Sequence, residues 1–320
     1  MSVEILAGGL QTTVQDLGRF GYRHLGVGVA GALDGYSARV ANLLVGNPEN
    51  CALLEIALHG PRLRFKQAAR IAITGAGVDA HSEGIAIPGW RHVDLPAGCE
   101  LAIGRCRRGA RAYLAIAGGV QVAKILGSAC TDLRAGLGGV DGRCLAPGDV
   151  LAFGAAFVPE VDAPAIASWW VNPEPDLDFN ASNPIRLLPA RESVVSAAAL
   201  CADSWRVTAQ SNRQGLRLQG AALTLADRGE RLSEPVAPGT VQLPPDGLPI
   251  VLLAEAQTIG GYPRIGHVIS CELPRLAQLR AGDALRFEMI DTPAAHALAC
   301  AQRHRLSRMA LAIGQRRRES

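Results

Sequence analysis

Residues 53–116, LLEIALHGPRLRFKQAARIAITGAGVDAHSEGIAIPGWRHVDLPAGCELAIGRCRRGARAYLAI, are the stretch from which the fold class is read. Their apolar residues fall in short runs, partly with period two: Leu53–Ile56, Leu63–Phe65, Arg70–Thr74, His92–Leu95, Cys99–Gly104 and Ala110–Ile116. GP, GAG, PGW and AG turns separate the runs, and Gly118–Gly119 closes the last. Many short runs divided by Gly/Pro turns predict a β-barrel or sandwich rather than alternating β-α units.

Upstream, residues 3–6 read as a short strand. The segment Gln11–Asn47, QTTVQDLGRFGYRHLGVGVAGALDGYSARVANLLVGN, is dense in glycine and carries Gln15, Asp16, Arg19, Tyr22, His24 and Asp34. Such a backbone either turns tightly or approaches something closely. Two readings stay open for it: a solvated loop leading into a helix, or polar side chains held on turns to form a site. Asp34 is a natural N-cap for a helix over Gly35–Val45, where Ala38, Ala41, Leu44 and Val45 recur at helical spacing and Gly46 stops it. Gly26, Gly28 and Gly31 spell a formal GxGxxG. No buried strand precedes it and the helix starts only after Asp34, so a dinucleotide site is not expected. No Walker A sequence is present.

Residues 159–184 are rich in proline and acid and read as a linker or extended crossover. A second β-rich half follows. Arg186–Pro189, Arg206–Thr208, Leu216–Leu218, Leu223–Leu225, Gly239–Leu243, Pro249–Leu253 and Ala284–Glu288 read as strands, Ser193–Ala202 as a short helix and Pro293–Ile313 as a longer one. Three segments repeat one layout: LPAGCELAIG (95–104), LAPGDVLAFG (145–154) and LRAGDALRFE (279–288). A glycine there takes φ > 0, and the acid bonds nearby amides. This weak repeat favours two related β-domains in tandem. The expected organisation is a first domain over 1–158, a linker or crossover over 159–184, a second domain over 185–292, and a C-terminal helix with a basic tail over 293–320, with exchange of segments between the two domains left open.

Composition narrows the class. The 320 residues are 48% hydrophobic, 19% charged and 4% aromatic, enough for two domains and too apolar for disorder. No apolar run reaches membrane-spanning length and MSVEILAGG is not a signal peptide, so a soluble, cytoplasmic protein is expected. Six arginines and one acid give Arg303–Glu319 a charge of +5; since the whole chain is +3, the remainder is −2. A slightly acidic body does not suggest a nucleic-acid surface. Lys66 and Lys124 are the two lysines, which leaves little room for lysine catalysis. The eight cysteines form no CxxC and no zinc-like spacing, and no bound metal is expected.

The candidate chemistry lies on glycine-rich turns. SACTDLRAGLGG (128–139) offers Ser128, Thr131, Asp132 and Arg134, a hydroxyl–acid–arginine group suited to a carboxylate, amide or phosphate; an ordinary capped turn has the same composition. In the second half SNRQG (211–215) holds Asn212 and Arg213. EAQTIGGYPRIG (255–266) holds Glu255, Gln257, Thr258, Gly260, Gly261, Tyr262 and Arg264 after a strong strand entry. This second turn echoes TVQDLGRFGY, and two echoing turns are natural places for a site formed between halves. Gly75 and Gly77 read as a β-turn or as amides offered to an anion.

These residues together resemble a known family. TTVQDLGRFGY, ALDGYSARVANLLVGN, LLEIALHGP, RAYLAIAGGV, LGSACTDLRAGLGG and EAQTIGGYP, in this order, are similar to the biotin-dependent carboxyltransferase family, also called the allophanate-hydrolase-subunit-2 or 5-oxoprolinase-subunit-C family. The resemblance runs from about residue 8 to 290. It implies a mainly β chain of two tandem cyclophilin-like β-barrels with a few short helices. It also implies a subunit-1/subunit-B-like protein and a subunit-A-like protein as partners. Two activities follow from it: an ATP-dependent 5-oxoprolinase complex opening 5-oxo-L-proline to L-glutamate, or carboxyl transfer from biotin on a partner to a urea-like acceptor. A non-catalytic regulatory subunit is the third. ATP is expected at the level of the complex, with a small amide or lactam as substrate. Asp16, Arg19, Asp132 and Glu255 are the catalytic candidates. Gln15, Tyr22, Ser128, Arg134, Asn212, Arg213, Gln257, Thr258, Gly260, Gly261 and Tyr262 are the substrate-binding candidates. The chain departs from the family pattern at Ala32–Leu33, where proline and methionine are usual, at Cys130, usually serine, and at Glu255, usually aspartate.

Overall fold

The computed structural model describes residues 1–156, 158–174, 176–177, 183–190, 197–224 and 232–319, with backbone alone for 197 and 319. The chain is mainly β. It divides into two compact units: Met1–Arg19, Ala30–Leu177 and Leu306–Ser320 form the first, Phe20–Val29 and Asp178–Arg305 the second. Among the described residues the first carries an 11-stranded sheet and the second an 8-stranded one.

The first sheet is organised around the 17-residue strand Glu100–Ile116. On one side it pairs antiparallel with Ala69–Ser82 along most of that strand's length. On its other side it pairs first with Arg62–Phe65 and then, after a bend, with Leu53–Ala57. Ser2–Ala7, Val150–Phe153 and Val120–Gln121 continue from Arg62–Phe65. The Val120 N–H donates to the Ala52 carbonyl at 3.0 Å, so the far edge returns to the strand Leu53–Ala57 and the sheet nearly closes. Alternating side chains face inward, and Ile5, Val14, Leu54, Ile56, Leu63, Phe65, Ile71 and Leu114 share one core. Each fully buried aliphatic or aromatic side chain of this kind stabilises the fold by about 1.5–3 kcal/mol.

The helix Gly35–Val45 forms as its sequence predicts. The Asp34 carboxylate accepts the Ser37 N–H at 2.8 Å and the Ser37 hydroxyl at 2.6 Å, and Gly46 ends the helix at φ 85°. The helix lies on Ala69–Ser82 and Glu100–Ile116. The Thr74 hydroxyl donates to the Ser37 carbonyl at 2.8 Å.

Sequence-derived bounds fail where polar residues or glycines sit inside long strands. Cys99–Gly104 and Ala110–Ile116 are one strand, because the charged run RCRRG keeps pairing with the partner strand. Gly75 and Gly77 do not make a turn; they mark register shifts within Ala69–Ser82. Gln11–Gln15, read as loop, is a buried strand paired with Leu53–Ala57.

The second sheet runs in the order Ala284–Leu285, Trp205–Val207, Gly215–Gln219, Ile250–Leu252, Thr240–Gln242, Arg264–Val268, Ile185–Pro189, Phe287–Met289. Its two edge strands are consecutive in the chain: Ala284–Leu285 pairs with Trp205–Val207, and Phe287–Met289 pairs parallel with Ile185–Pro189. A sheet whose opposite edges are neighbours in sequence must curl towards closure. The single strand expected over Ala284–Glu288 is therefore two, switching at Arg286. Trp205 is fully buried, and its indole N–H donates to the Leu200 carbonyl at 3.0 Å. Arg264–Val268 is a strand, although its sequence reads as a turn. Residues 223 and 224 are not strand; residue 225, and residues 193–196 of the expected short helix, lie outside the described residues, and the helix is described over Ala197–Ala202. The last helix, Thr292–Glu319, is longer than Pro293–Ile313.

The three repeated turns share one geometry: Gly98, Gly148 and Gly282 have φ of 79°, 91° and 92°, each just ahead of a strand. Asp149 and Asp283 bond the amides of Ala146 and Arg280, both at 2.8 Å. Glu100 does not, and pairs with Arg64 instead.

Candidate functional site

In the first unit the end of the strand Gln11–Gln15 meets the glycine-rich loop that follows Val120–Gln121. The strand's outer edge is completed by that loop: the Val14 carbonyl accepts the Thr131 N–H at 2.9 Å and the Thr131 hydroxyl at 2.9 Å, and the Thr12 carbonyl accepts the Leu145 N–H at 2.9 Å. Asp16 stands at the junction, 9% exposed. Its carboxylate accepts three hydrogen bonds, from the Gly18 N–H at 2.9 Å, the Ser128 hydroxyl at 2.6 Å and the Ala129 N–H at 2.7 Å. Such charge-assisted bonds are the strong ones. Ser128 Oγ in turn accepts the Cys130 N–H at 3.1 Å.

Arg19 is fully buried. Its Nε donates to the Ile125 carbonyl and its Nη2 to the Cys130 carbonyl, both at 3.0 Å. Its Nη1 and the Oε1 of buried Gln15 have no partner among the described residues. Gln15 donates through Nε2 to the Thr131 carbonyl and the Thr13 hydroxyl, both at 3.0 Å. Gly138 allows the close packing: at φ 72°, a Cβ there would lie 2.1 Å from the Cys130 carbonyl oxygen and 3.0 Å from Arg19 Nη2. Gln15, Asp16, Arg19 and Ser128 thus converge on one buried cluster. Burial pushes the Cys130 thiol up, with the Asp16 charge adding to it and the Ser128 hydrogen bond and Arg19 opposing it.

Asp132 does a different job. Its Oδ1 accepts the amides of Arg134 and Ala135 at 3.1 and 3.0 Å, a capped turn, and Arg134 is exposed. A second buried network, missed in the sequence, supports the helix entry. Glu55 accepts the Leu33 N–H and the Tyr113 hydroxyl, both at 2.9 Å, while Tyr113 Oη accepts the Asp34 N–H at 2.8 Å. Burial, and then the charge of Glu55, hold the Tyr113 phenol well above its ordinary pKa. Glu55 lies between the core residues Leu54 and Ile56 and so faces the other side of the sheet, towards the helix entry; its partners, 22 and 58 residues away, had no local signal.

In the second unit Arg213 and Glu255, both 4% exposed at the side chain, form an ion pair at 2.5 Å. The Glu255 N–H also donates to the Arg213 carbonyl at 3.0 Å. Asn212 is exposed, and its side chain accepts the Gln214 N–H at 2.8 Å. Gln257 Nε2 donates to Oε1 of buried Gln242 at 3.4 Å, and the Thr258 carbonyl accepts the Val236 N–H at 3.0 Å. Ile259–Gly260 pairs with Glu234–Pro235. Beyond this ribbon opens a groove of about 230 Å³ lined by Leu232, Glu234, Gly260, Gly261, Tyr262, Pro263 and Arg264. Tyr262 is 47% exposed there, and Arg264 is ion-paired with Glu234. Gly260 lies over the Gln242 amide, where a Cβ would approach Nε2 to 2.6 Å. Tyr22, half-buried, precedes the short 3₁₀ turn Arg23–Leu25, and the Arg23 guanidinium donates to the Val236 carbonyl. Leu232 and Glu234 are groove residues that sequence reasoning missed, and so is buried Gln242, which bonds Gln257 beneath the ribbon.

The segment GVGVAG does not cradle a nucleotide phosphate in the P-loop manner. The residues before it form the 3₁₀ turn Arg23–Leu25 rather than a strand, and the N-terminus of the next helix is occupied by the Asp34 carboxylate. Among the described residues no group of three or more His, Cys, Asp or Glu is placed to hold a metal ion, and no helix is long and apolar enough to cross a membrane.

Known proteins bear on this arrangement. Residues 25–289 match the carboxyltransferase domain, subdomain A and B. The chain is 40% identical over 291 residues to the C subunit of 5-oxoprolinase from Escherichia coli (strain K12), covering 89% of this chain and 90% of that protein. It is 33% identical to a putative urea carboxylase of Emericella nidulans over 89% of this chain but 24% of that protein. Among solved structures, the urea carboxylase of Kluyveromyces lactis superposes with a TM-score of 0.87 at 29% identity, over 95% of this chain and 29% of that one. This chain therefore corresponds to about a quarter of those larger enzymes and to nearly the full length of the bacterial protein, and it belongs to the family of carboxyltransferase domains with subdomains A and B.

Proposed function

We propose that this chain is the C subunit of an ATP-dependent 5-oxoprolinase, opening 5-oxo-L-proline to L-glutamate together with subunit-B-like and subunit-A-like partners in the cytoplasm. The observation that carries the reading is 40% identity to the E. coli protein over nearly the full length of both chains. A lactam is an unreactive amide, and its opening needs stabilisation of charge developing on the carbonyl oxygen. The groove of the second unit suits a small polar ring: Tyr262 supplies a face, Arg264 a cation beside Glu234, and Gly260–Gly261 a backbone with no side chain to block approach. Gln257 and Thr258 hold the ribbon that bears this turn.

Asp16, Arg19, Ser128 and Gln15 act in this reading as positioning residues, because all are buried and the bonds they make are to the chain itself. Arg213 and Glu255 fix the start of the second turn in the same way. Asp132 shapes its loop, and Arg134, Asn212 and Tyr22 stand at the surface or near it, available to substrate or partner. ATP belongs to the complex; no phosphate cradle of this chain is assigned to it.

The test is ATP-dependent glutamate release by the reconstituted complex. Tyr262→Ala and Arg264→Ala raise KM for 5-oxoproline at least about tenfold if each contributes about 1.4 kcal/mol to binding. An unchanged KM in both removes the groove from the reading. A second reading has its own support in the TM-score of 0.87 to the K. lactis urea carboxylase: carboxyl transfer from biotin on a partner to a urea-like acceptor. It requires a biotinylated partner, and a streptavidin blot of the purified complex separates the two.

A further inference from the structure

The last helix carries a second cluster of chemically active groups, about thirty residues beyond Arg264 and the groove turn. His296, Cys300 and His304 recur at four-residue spacing, which puts them on one face of an α-helix. His296 and His304 are exposed and Cys300 is half-buried. Cys300 Sγ lies 3.5 Å from His296 Nε2.

That separation matches the bite of a tetrahedral metal ion. With Zn–S of about 2.3 Å and Zn–N of about 2.0 Å at a tetrahedral angle, the two donor atoms stand about 3.5 Å apart. A thiolate with an imidazole selects zinc and similar borderline or soft ions rather than magnesium or calcium. His304 is excluded from the same ion: it lies eight residues beyond His296, about 12 Å along the axis at 1.5 Å per residue.

We propose that His296 and Cys300 form a two-ligand clip for a zinc-class divalent ion on the Thr292–Glu319 helix, with its remaining coordination positions open to water. Binding releases the thiol proton and replaces the Cys–His contact by two metal bonds, without moving the backbone. The clip is separate from the proposed lactam groove, so it stands or falls independently of that assignment.

Co²⁺ titration of the full chain, reduced with a non-thiol reductant, tests it. The expected result is a thiolate-to-cobalt charge-transfer band that saturates at one equivalent and is displaced by Zn²⁺. Cys300→Ser and His296→Ala each abolish the band, while His304→Ala leaves it unchanged. Absence of the band in the unaltered chain overturns the proposal. So does its persistence with an unchanged midpoint in Cys300→Ser, since another of the eight cysteines would then be the ligand, or in His296→Ala, since His296 would then not be one.

Discussion

Asp16→Ala is the perturbation whose size the structure defines best. The carboxylate is 9% exposed and accepts three donors, two of which, the Ser128 hydroxyl and the Ala129 amide, belong to residues 1% and 3% exposed. A hydrogen bond to a charged acceptor is worth roughly 1.5–3 kcal/mol, and a buried donor left without a partner loses about as much. Two such bonds give about 4 kcal/mol; the third, to the Gly18 N–H in a more open setting, adds less. Ser128→Ala removes one of the same bonds and deprives the Cys130 amide of its acceptor, for about 2 kcal/mol. Because the two residues share a bond, the double variant falls short of the sum by about 1–2 kcal/mol. Guanidinium unfolding gives the free energies, and peptide-resolved hydrogen exchange localises the effect: amides of 125–142 lose protection in Asp16→Ala while those of Glu100–Ile116 keep it. A loss below about 1 kcal/mol, or strict additivity, refutes the idea that Asp16 ties this loop to the strand Gln11–Gln15.

Three further outcomes are expected. Glu255→Gln removes the carboxylate charge that faces the buried Arg213 guanidinium, 4% exposed, and costs about 3–5 kcal/mol in denaturant unfolding, a loss that replacing both residues with apolar side chains of similar volume largely removes. Gly138→Ala forces a Cβ to 2.1 Å from a backbone oxygen at φ 72°; it destabilises by at least about 2 kcal/mol and loosens the Arg19–Cys130 contact, read as faster exchange in the same loop. His92 is pushed down to about 4 by burial and then by Arg70, with Asp94 opposing. Its folded pKa is below the unfolded value near 6.5, so the unfolded chain takes the proton first. Its contribution is complete above about pH 6.5 and falls away towards pH 4, by up to about 3 kcal/mol. In His92→Gln that part of the pH dependence disappears from the unfolding midpoint measured between about pH 4 and 7.

What could be read from the sequence followed from local physics. Asp34 announced the helix Gly35–Val45 because an N-cap acts within three residues, and Gly46 ended it for the same reason. The glycines of the repeated turns forecast their own positive φ. The strand Gln11–Gln15 was hidden because its Thr13 and Gln15, polar in composition, are buried beside a loop more than a hundred positions away, which bonds Gln15 and the Val14 carbonyl. The long strand Glu100–Ile116 was split because its exposed arginines look like a turn when pairing partners are unknown. Glu255 was named as a base from its place beside a glycine turn; that it pairs with Arg213, 42 residues earlier, is a tertiary fact. The exchange that gives Phe20–Val29 to the second unit and Leu306–Ser320 to the first had no counterpart in any local pattern.

The central claim is tested most directly by omission and restoration. Purified subunit-A-like and subunit-B-like partners are assayed for glutamate formed from 5-oxoproline and for ATP consumed, with and without this chain. The account predicts that coupled glutamate release requires the chain and returns when it is added back at stoichiometric amounts. Full coupled release in its absence, or no release in its presence with urea-dependent use of a biotinylated partner instead, contradicts it.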